Sequence, residues 1–355
     1  MSMRKILIGL DYELFFGQTT GTVEKCLIEP TEYLLNTVEK YGAKLTLFVD
    51  AGYLLKLSKA KTQKLSKKLT NDFDLIATQL ASLITRGHDI QLHIHPHWED
   101  CHWQQDHWQI NTDRYRLHDF NDQDKHDIVK RYRGILQQFN DEPVFAYRAG
   151  GWCLQPFDQI ADALRENGIW LDSTVYKNGF SDDPTRWYDF RQCSPSTLLS
   201  GKQATWRFSK DPLVEDEQGD FVELPISSMR LGPSFYWRMA VENKLLKRNP
   251  CFGDGQSMTA NSGYYLTRLL QTAYSPVSID GLKANRLAVA FKQNSSDFFN
   301  IMGHPKSISS DSLVKLEQFL ADLVDVAYLS FRDLKSLHKN GSNSQKANNG
   351  QRKMG

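Results

Sequence analysis

Short apolar runs alternate with segments of helical periodicity through the first half of the chain. The first run, residues 5–10, ends at Asp11 and predicts a buried strand. Four further strands are predicted in this half, at 44–49, 88–94, 144–147 and 169–171. Helices are predicted between them, at about 29–42, 75–83, 121–138 and 156–167. Strands and helices that alternate with short connections predict parallel βαβ units.

A residue whose side chain can act in catalysis or bind a metal ion repeatedly stands where a predicted strand ends. These residues are Asp11, Asp50, Arg148 and Asp172, together with the histidines that close the run at 88–94. In parallel α/β folds the carboxyl ends of the strands meet on one face, and active sites are built there. The pattern therefore predicts a barrel-like α/β enzyme.

The second half of the chain has a less regular pattern. Residues 176–285 are predicted to be long loops or an insertion, with one strand at 221–226. Regular structure returns near the end, as a strand at 298–302, a helix at 311–324 and a strand at 326–331. Residues 339–355 lack apolar content, which predicts a disordered tail. We therefore expect one catalytic domain over residues 1–338.

The composition excludes several classes of protein. Lys and Arg number 43 against 42 Asp and Glu, so the chain lacks the basic excess of a nucleic-acid binder. No apolar stretch approaches the roughly 18 residues of a membrane span, and the run before Asp11 is too short for a signal peptide. The five cysteines are dispersed, which fits a reducing compartment. We expect a soluble, cytoplasmic protein, and the oligomeric state remains open.

Six of the ten histidines lie between residues 88 and 107. His93 and His97 are four residues apart, a spacing that suits two imidazoles on one metal ion if a turn begins between them. Pro96 favours such a turn. The alternative is a histidine cluster that only packs in the core or on the surface. The position at a strand end favours the metal site, with His95 either supporting the ligands or facing the substrate.

Asp11 and Glu13 supply two carboxylates at alternate positions. If the strand continues through them, their side chains point to the same side. A metal ion held by three protein ligands, with an open fourth position, lowers the pKa of bound water to about 7. One carboxylate could then bind the metal ion while the other acts as a base.

These residues, in this order, resemble the motifs of the polysaccharide deacetylases, the family that contains chitin-oligosaccharide and peptidoglycan N-deacetylases. The resemblance runs from about residue 4 to 335 and implies a distorted (β/α)₇ barrel. It implies that Asp11 is the catalytic base and that Glu13, His93 and His97 bind the metal ion. The second acid of the first motif is displaced by one residue here, since Glu13 does not directly follow Asp11.

Three later motifs extend the resemblance. Arg148, within Tyr-Arg-Ala-Gly-Gly-Trp, is implied to orient Asp11, while the amide of Gly151 helps to form an oxyanion hole and Trp152 stands beside the substrate. Many relatives carry Pro where Gly150 stands. Asp172 is implied to support either the acid histidine or the arginine.

The last motif is His304-Pro after a late strand, and His304 is implied to protonate the leaving amine. Two further residues are candidates for substrate binding. Trp98 precedes Trp103 and Trp108 at five-residue steps, which predicts a loop that lines a sugar groove or packs against the barrel rim. Glu223 closes the strand at 221–226 on the same presumed face.

The resemblance implies hydrolysis of an N-acetyl group on an amino sugar or glycan intermediate, with one divalent metal ion. Zn²⁺ suits the ligands best, and Co²⁺, Ni²⁺, Mn²⁺ and Fe²⁺ tolerate the same set. One alternative is a deformylase or another amidohydrolase that acts on a small, lipid-linked or nucleotide-linked substrate. The other is a barrel without activity that binds sugar.

Overall fold

The computed structural model describes residues 3–193, 205–242, 250–258 and 267–338. The tail predicted to be disordered, residues 339–355, lies outside these ranges. Each helix within them is too short or too polar to cross a membrane.

The strands in the described part of the chain are β1 (Arg4–Tyr12), β2 (Thr46–Asp50), β3 (Asp89–Ile94), β4 (His102–Gln104), β5 (His107–Gln109), β6 (Ala146–Ala149), β7 (Leu171–Asp172), β8 (Phe180–Ser181), β9 (Tyr188–Asp189), β10 (Trp206–Phe208), β11 (Phe221–Glu223), β12 (Ser228–Leu231), β13 (Ala273–Pro276), β14 (Phe298–Gly303) and β15 (Val326–Tyr328). The helices are α1 (Glu29–Val38), α2 (Ala51–Thr62), α3 (Lys67–Thr85), α4 (Asp122–Gln137), α5 (Asp158–Glu166), α6 (Pro233–Ala240), α7 (Leu287–Gln293) and α8 (Ser310–Ala321).

One long sheet carries the fold, in the order β10-β11-β7-β6-β3-β2-β1-β14, with β15 also paired to β1. From β11 to β14 all neighbours in this order are parallel, which gives seven parallel strands. Only β10 joins it antiparallel. The predicted α/β fold with parallel strands is confirmed.

The far ends of the sheet approach each other, so the sheet curls as a barrel does. The amide of Ser227, just beyond β11, donates to the carbonyl oxygen of Asn300 in β14 at 2.9 Å. The amide of Asn300 in turn donates to the Ser227 hydroxyl at 3.0 Å. The Asn300 side chain also donates to the Ser173 hydroxyl at 3.0 Å, which links β14 to the end of β7 through the interior.

Apolar side chains explain why these strands form the centre of the molecule. β2 is buried at every position and β1 at all but its first two, as expected for parallel strands covered on both faces. The helices cover the outside with one apolar face each. In α1 that face includes Leu34, Leu35 and Val38, all completely buried.

In the first half of the chain, an α-helix and a β-hairpin form where the sequence did not predict them. Helix α2 was not predicted, although Asp50 is a suitable N-cap whose side chain accepts from the amide of Tyr53 at 3.4 Å. The stretch predicted as a loop with spaced tryptophans forms the hairpin of β4 and β5, with Trp103 and Trp108 in register. Its two turn residues both have positive φ, which suits the twist of a tight hairpin.

Candidate metal centre

Glu13, His93 and His95 come together at the carboxyl face of the sheet. One ligand atom from each lies within 4.8 Å of the other two, and all three side chains are buried. His93 is in β3, His95 follows that strand directly, and Glu13 follows β1. Since β1 and β3 both flank β2, the parallel register delivers these residues to one place.

His93 has the geometry of an oriented ligand. Its Nδ1 lies 2.9 Å from the carbonyl oxygen of Arg148. Because a carbonyl oxygen only accepts, Nδ1 donates to it, and in the neutral ring Nε2 then carries the lone pair. This Nε2 faces Glu13 Oε2 at 3.2 Å. Burial alone would lower the pKa of His93, but Asp11, Glu13 and Asp50 together raise it.

The His95 ring is buried without hydrogen bonds. Its Nε2 lies 2.6 Å from Glu13 Oε2, but the geometry is not that of a hydrogen bond, and neither ring nitrogen has a hydrogen-bond partner among the described residues. Burial lowers the pKa of His95 to about 4, against the opposing effect of Glu13, so the ring is neutral. A neutral, unpaired imidazole facing a carboxylate and a second imidazole fits a divalent metal ion.

His97, the second predicted metal ligand, does not join this group. The chain stays extended at His95 (φ −114°, ψ 88°), and the 3₁₀ turn begins only at Pro96. His93 and His95 therefore share one side, whereas His97 turns into the core. Its ring stacks on Trp98 and Tyr115, each at a centroid distance of 5.4 Å. The sequence-based ligand pair of His93 and His97 would require the turn to start earlier.

Asp11 is held by Arg148 beside the metal-binding group. Arg148 Nη1 donates to Asp11 Oδ1 at 2.6 Å, and its Nε donates to the Ser173 carbonyl at 2.8 Å. Both side chains are buried. Gly9 makes room for the guanidinium, since a Cβ at that position would lie 2.9 Å from Arg148 Nη2. One oxygen of Asp11 is thus fixed and the other faces His304.

His304 lies across from Asp11 and is oriented by Asp280. Its Nδ1 is 2.8 Å from Asp280 Oδ2, and its amide donates to Asp280 Oδ1 at 2.8 Å. Its Nε2 lies 3.7 Å from Asp11 Oδ2 and 3.8 Å from Glu13 Oε1. Burial would lower the pKa of His304, but Asp280, with help from Asp11 and Glu13, raises it.

Asp280 was missed in the sequence, although a signal for it exists. The short stretch Val277-Ser278-Ile279, with apolar residues at alternate positions, is followed by Asp280, much as the predicted strands are followed by polar residues. Lys306 was also missed. Its Nζ donates to Glu13 Oε1 at 2.8 Å and to the Leu14 carbonyl at 2.6 Å. A lysine in a segment after Pro305 looks like a surface residue, so the sequence offers no comparable signal for it.

Asp172 and Glu223 form a buried carboxyl pair away from the cavity. They are register partners in β7 and β11. Thr174 donates to both Asp172 oxygens, at 2.8 and 2.9 Å. Burial raises the pKa of both carboxyl groups, and for Glu223 the neighbouring Asp172 adds to this effect. Neither lines the cavity, so the structure places Glu223 away from the candidate substrate site, and the carboxylate that contacts His304 is Asp280 rather than Asp172.

A cavity of about 830 Å³ opens above the centre. Gly151 and Trp152 line it, in a turn where both have positive φ (61° and 60°). Trp98 does not line it. Trp98 is completely buried and donates to Asp50 Oδ2 at 2.6 Å, so it packs in the core, the alternative to a sugar groove.

No protein-family model and no curated protein matches the chain. Distant similarities to solved structures do exist. The chain is similar in structure to polysaccharide deacetylases. A protein of Mycobacterium smegmatis assigned to these enzymes shares 14% identity over 96% of this chain and 92% of its own, with a TM-score of 0.47. The peptidoglycan deacetylase PdaC of Bacillus subtilis shares 10% over 99% and 98%, with a TM-score of 0.34.

A structure outside that group is matched at a comparable level. The 4-alpha-glucanotransferase of Thermococcus litoralis shares 12% identity over 95% of this chain and 40% of its own, with a TM-score of 0.48. All three similarities are too distant to carry an argument about activity. Function is therefore inferred from the residues of the site.

Proposed function

We propose that this protein is a metal-dependent hydrolase that removes an N-acetyl group from an amino sugar or glycan intermediate. The observation that carries the proposal is the buried group of Glu13, His93 and His95, which opens on a cavity beside Asp11 and His304. His95 replaces His97 in the proposed ligand set. A divalent ion held there, with Zn²⁺ the best match to two imidazoles and a carboxylate, would polarise the substrate carbonyl and acidify bound water.

Asp11 is the proposed base. Arg148 holds its Oδ1, so Oδ2 is the oxygen that remains to accept a proton from the attacking water. That oxygen faces His304 Nε2 at 3.7 Å, a separation that is too long for a direct hydrogen bond. Reacting atoms placed between the two side chains would be within reach of both.

His304 is the proposed acid. The Asp280 carboxylate fixes the Nδ1 proton, and Nε2 points toward the base and the metal-binding group. Burial opposes protonation, but Asp280 raises the pKa of His304 above its ordinary value of 6.5, so the ring holds its second proton to a higher pH than an ordinary histidine. That proton would pass from Nε2 to the departing nitrogen. The Gly151 amide, on the cavity wall, is the proposed donor to the oxyanion.

The side chains that line the cavity support the proposal of a sugar as the substrate. Its aromatic members are Phe15, Phe16, Tyr115, Trp152, Phe180 and Tyr188. Aromatic faces pack on the apolar faces of sugar rings, while the polar edges of the ring need hydrogen-bonding partners. Asp182, Asp183 and Arg186 supply such partners at the same cavity.

The test combines metal content with acyl release. We expect about one equivalent of metal in the purified protein by elemental mass spectrometry, lost in His93→Ala. Asp11→Asn should keep the metal ion but release acetate from N-acetylated sugar oligomers at least about 100-fold more slowly. Release of formate from N-formylated sugars, with no acetate, would instead make the protein a deformylase. Sugar binding without acyl release in the metal-loaded protein would overturn the proposed activity.

A further inference from the structure

Lys306 is a buried cation inside the candidate metal centre. It is only 7% exposed, and its ammonium contacts Glu13 Oε1 and the Leu14 carbonyl. The rings of Phe15 and Phe16 lie 4.9 and 5.2 Å from its nitrogen. The backbone is also confined, because the amide of Gly253 donates to the Lys306 carbonyl. The ammonium therefore contacts Glu13 rather than solvent.

The two oxygens of Glu13 have different partners. Oε1 accepts from Lys306, while Oε2 faces His93 at 3.2 Å and His95 at 2.6 Å. Lys306 thus fixes the rotation of the carboxylate and leaves one oxygen for an ion. Burial would raise the pKa of Glu13, but Lys306 first and His95 next hold it well below its ordinary value.

We propose that Lys306 lowers the affinity of the Glu13–His93–His95 group for divalent ions, by holding Glu13 through one oxygen and placing a positive charge beside the ion. This inference rests on the proposed function, since it requires an ion at that group. Two like charges in a buried site repel strongly because little solvent lies between them. In the absence of an ion, the same ammonium neutralises Glu13 and keeps the site formed.

A purely structural role for Lys306 predicts the opposite result. If the lysine only anchored Glu13, its loss would misplace a ligand and weaken ion binding. If its charge competes with the ion, its loss should strengthen binding even though the anchor is gone. The sign of the change therefore separates the two roles.

The experiment measures Zn²⁺ affinity by competition with a chromophoric chelator, in wild type and three variants. Lys306→Met removes the charge and the hydrogen bonds, Lys306→Gln removes the charge but retains an amide N–H donor, and Lys306→Arg keeps the charge. We expect Met and Gln to bind Zn²⁺ at least about tenfold more tightly than wild type and Arg to remain close to it. The matched control is Lys125→Met, since Lys125 is 6% exposed and bonded to Asp122 in α4, far from the site along the chain.

The d–d absorption of bound Co²⁺ provides a second readout. Release of Glu13 Oε1 from Lys306 should let the carboxylate bind through both oxygens, which weakens the absorption as the coordination number rises. This change is expected in Lys306→Met and absent in Lys306→Arg.

Each outcome has one meaning. If folded Lys306→Met and Lys306→Gln bind Zn²⁺ no more tightly than wild type, the inference is overturned while the proposed function stands. If wild type binds no Zn²⁺ but these variants do, the inference is supported and the metal-dependent reaction is overturned. If none of the proteins binds Zn²⁺, both fail. Thermal unfolding of each variant identifies a protein that has lost its fold, and Lys306→Gln then replaces Lys306→Met as the deciding variant.

Discussion

The two walls of the candidate site are built differently. One wall consists of residues on the ends of β1, β3 and β6, including His93 and Arg148, whose backbones are fixed by parallel strand pairing. The other wall consists of Asp280, His304 and Lys306, which lie on irregular segments before and after β14. The first, the strand wall, is positioned by the sheet. The second, the loop wall, depends on how late segments of the chain pack over the sheet.

At the end of β1, two carboxylates take their cations from opposite walls. Asp11 is paired with Arg148 of the strand wall at 2.6 Å. Glu13 is paired with Lys306 of the loop wall at 2.8 Å. Two carboxylates, two positions apart, are therefore suited to the proposed proton transfer at Asp11 and the proposed ion binding at Glu13. The neighbouring cation, rather than the carboxylate itself, distinguishes the two proposed roles.

The largest expected effect tests the strand wall. His95→Ala removes a proposed ligand, so we expect Zn²⁺ affinity to fall by more than the roughly 10–100-fold that loss of an outer partner costs. His97→Ala instead opens a gap between Trp98 and Tyr115. It should lower the free energy of unfolding by about 2–4 kcal/mol, in the range of large-to-small core substitutions, while metal affinity changes little.

Chelator competition and urea unfolding on the two variants measure both quantities. The pair is matched because both residues are buried histidines on the same short segment. If His97→Ala loses the metal ion and His95→Ala keeps it, the turn starts earlier in the metal-loaded protein and the originally predicted pair is the correct one.

A smaller effect tests the loop wall. Asp280→Asn removes the charge that raises the pKa of His304, so that pKa should fall toward or below 6.5. An acid acts only while protonated, so activity is lost as pH rises through its pKa. The alkaline limb of kcat should therefore move to lower pH in the variant, and kcat at its optimum should fall about 10–100-fold.

The pH profile of acyl release is the measurement, with Asp254→Asn as the control. Asp254 lies in the same half of the chain and accepts from Thr22, not from His304. An alkaline limb that stays in place in Asp280→Asn would mean that a group other than His304 donates the proton.

The strand wall could largely be predicted from the sequence, because an apolar run followed by a polar residue marks a strand end locally. Asp11, His93 and Arg148 all follow this rule. His95 shows its limit, since the choice between His95 and His97 depends on which residue begins the turn. Histidines two or four residues apart are equally plausible until the backbone angle at His95 is known.

The loop wall could be predicted only in part, because its contacts join distant parts of the chain. Lys306 meets Glu13 across a separation of 293 positions in the sequence, and Asp280 meets His304 through a segment that pairs irregularly with β14. The sequence marks His304 only through its resemblance to a motif. Nothing in the local pattern around Lys306 distinguishes it from a surface lysine.

The smallest expected effect tests how closely the strand wall is packed around His95. A Cβ at Gly150 would lie 2.6 Å from His95 Cε1 and 2.5 Å from the carbonyl oxygen of Ile94. Gly150→Ala should therefore displace the imidazole, weaken Zn²⁺ binding about tenfold and destabilise the fold by about 1–3 kcal/mol, as overpacking does. Gly134→Ala is the control, because a Cβ there meets nothing within 4 Å.

Gly134 lies in α4, where replacing glycine with alanine should be neutral or should stabilise the fold by about 0.5–1 kcal/mol. Unfolding curves and chelator competition on the two variants separate a general loss of stability from a loss at the site. Gly150→Ala with wild-type Zn²⁺ affinity would show that the His95 ring can shift without cost. The strand wall would then be no more rigid than the loop wall. The two walls would differ only in whether strand pairing or contacts between distant segments of the chain position their residues.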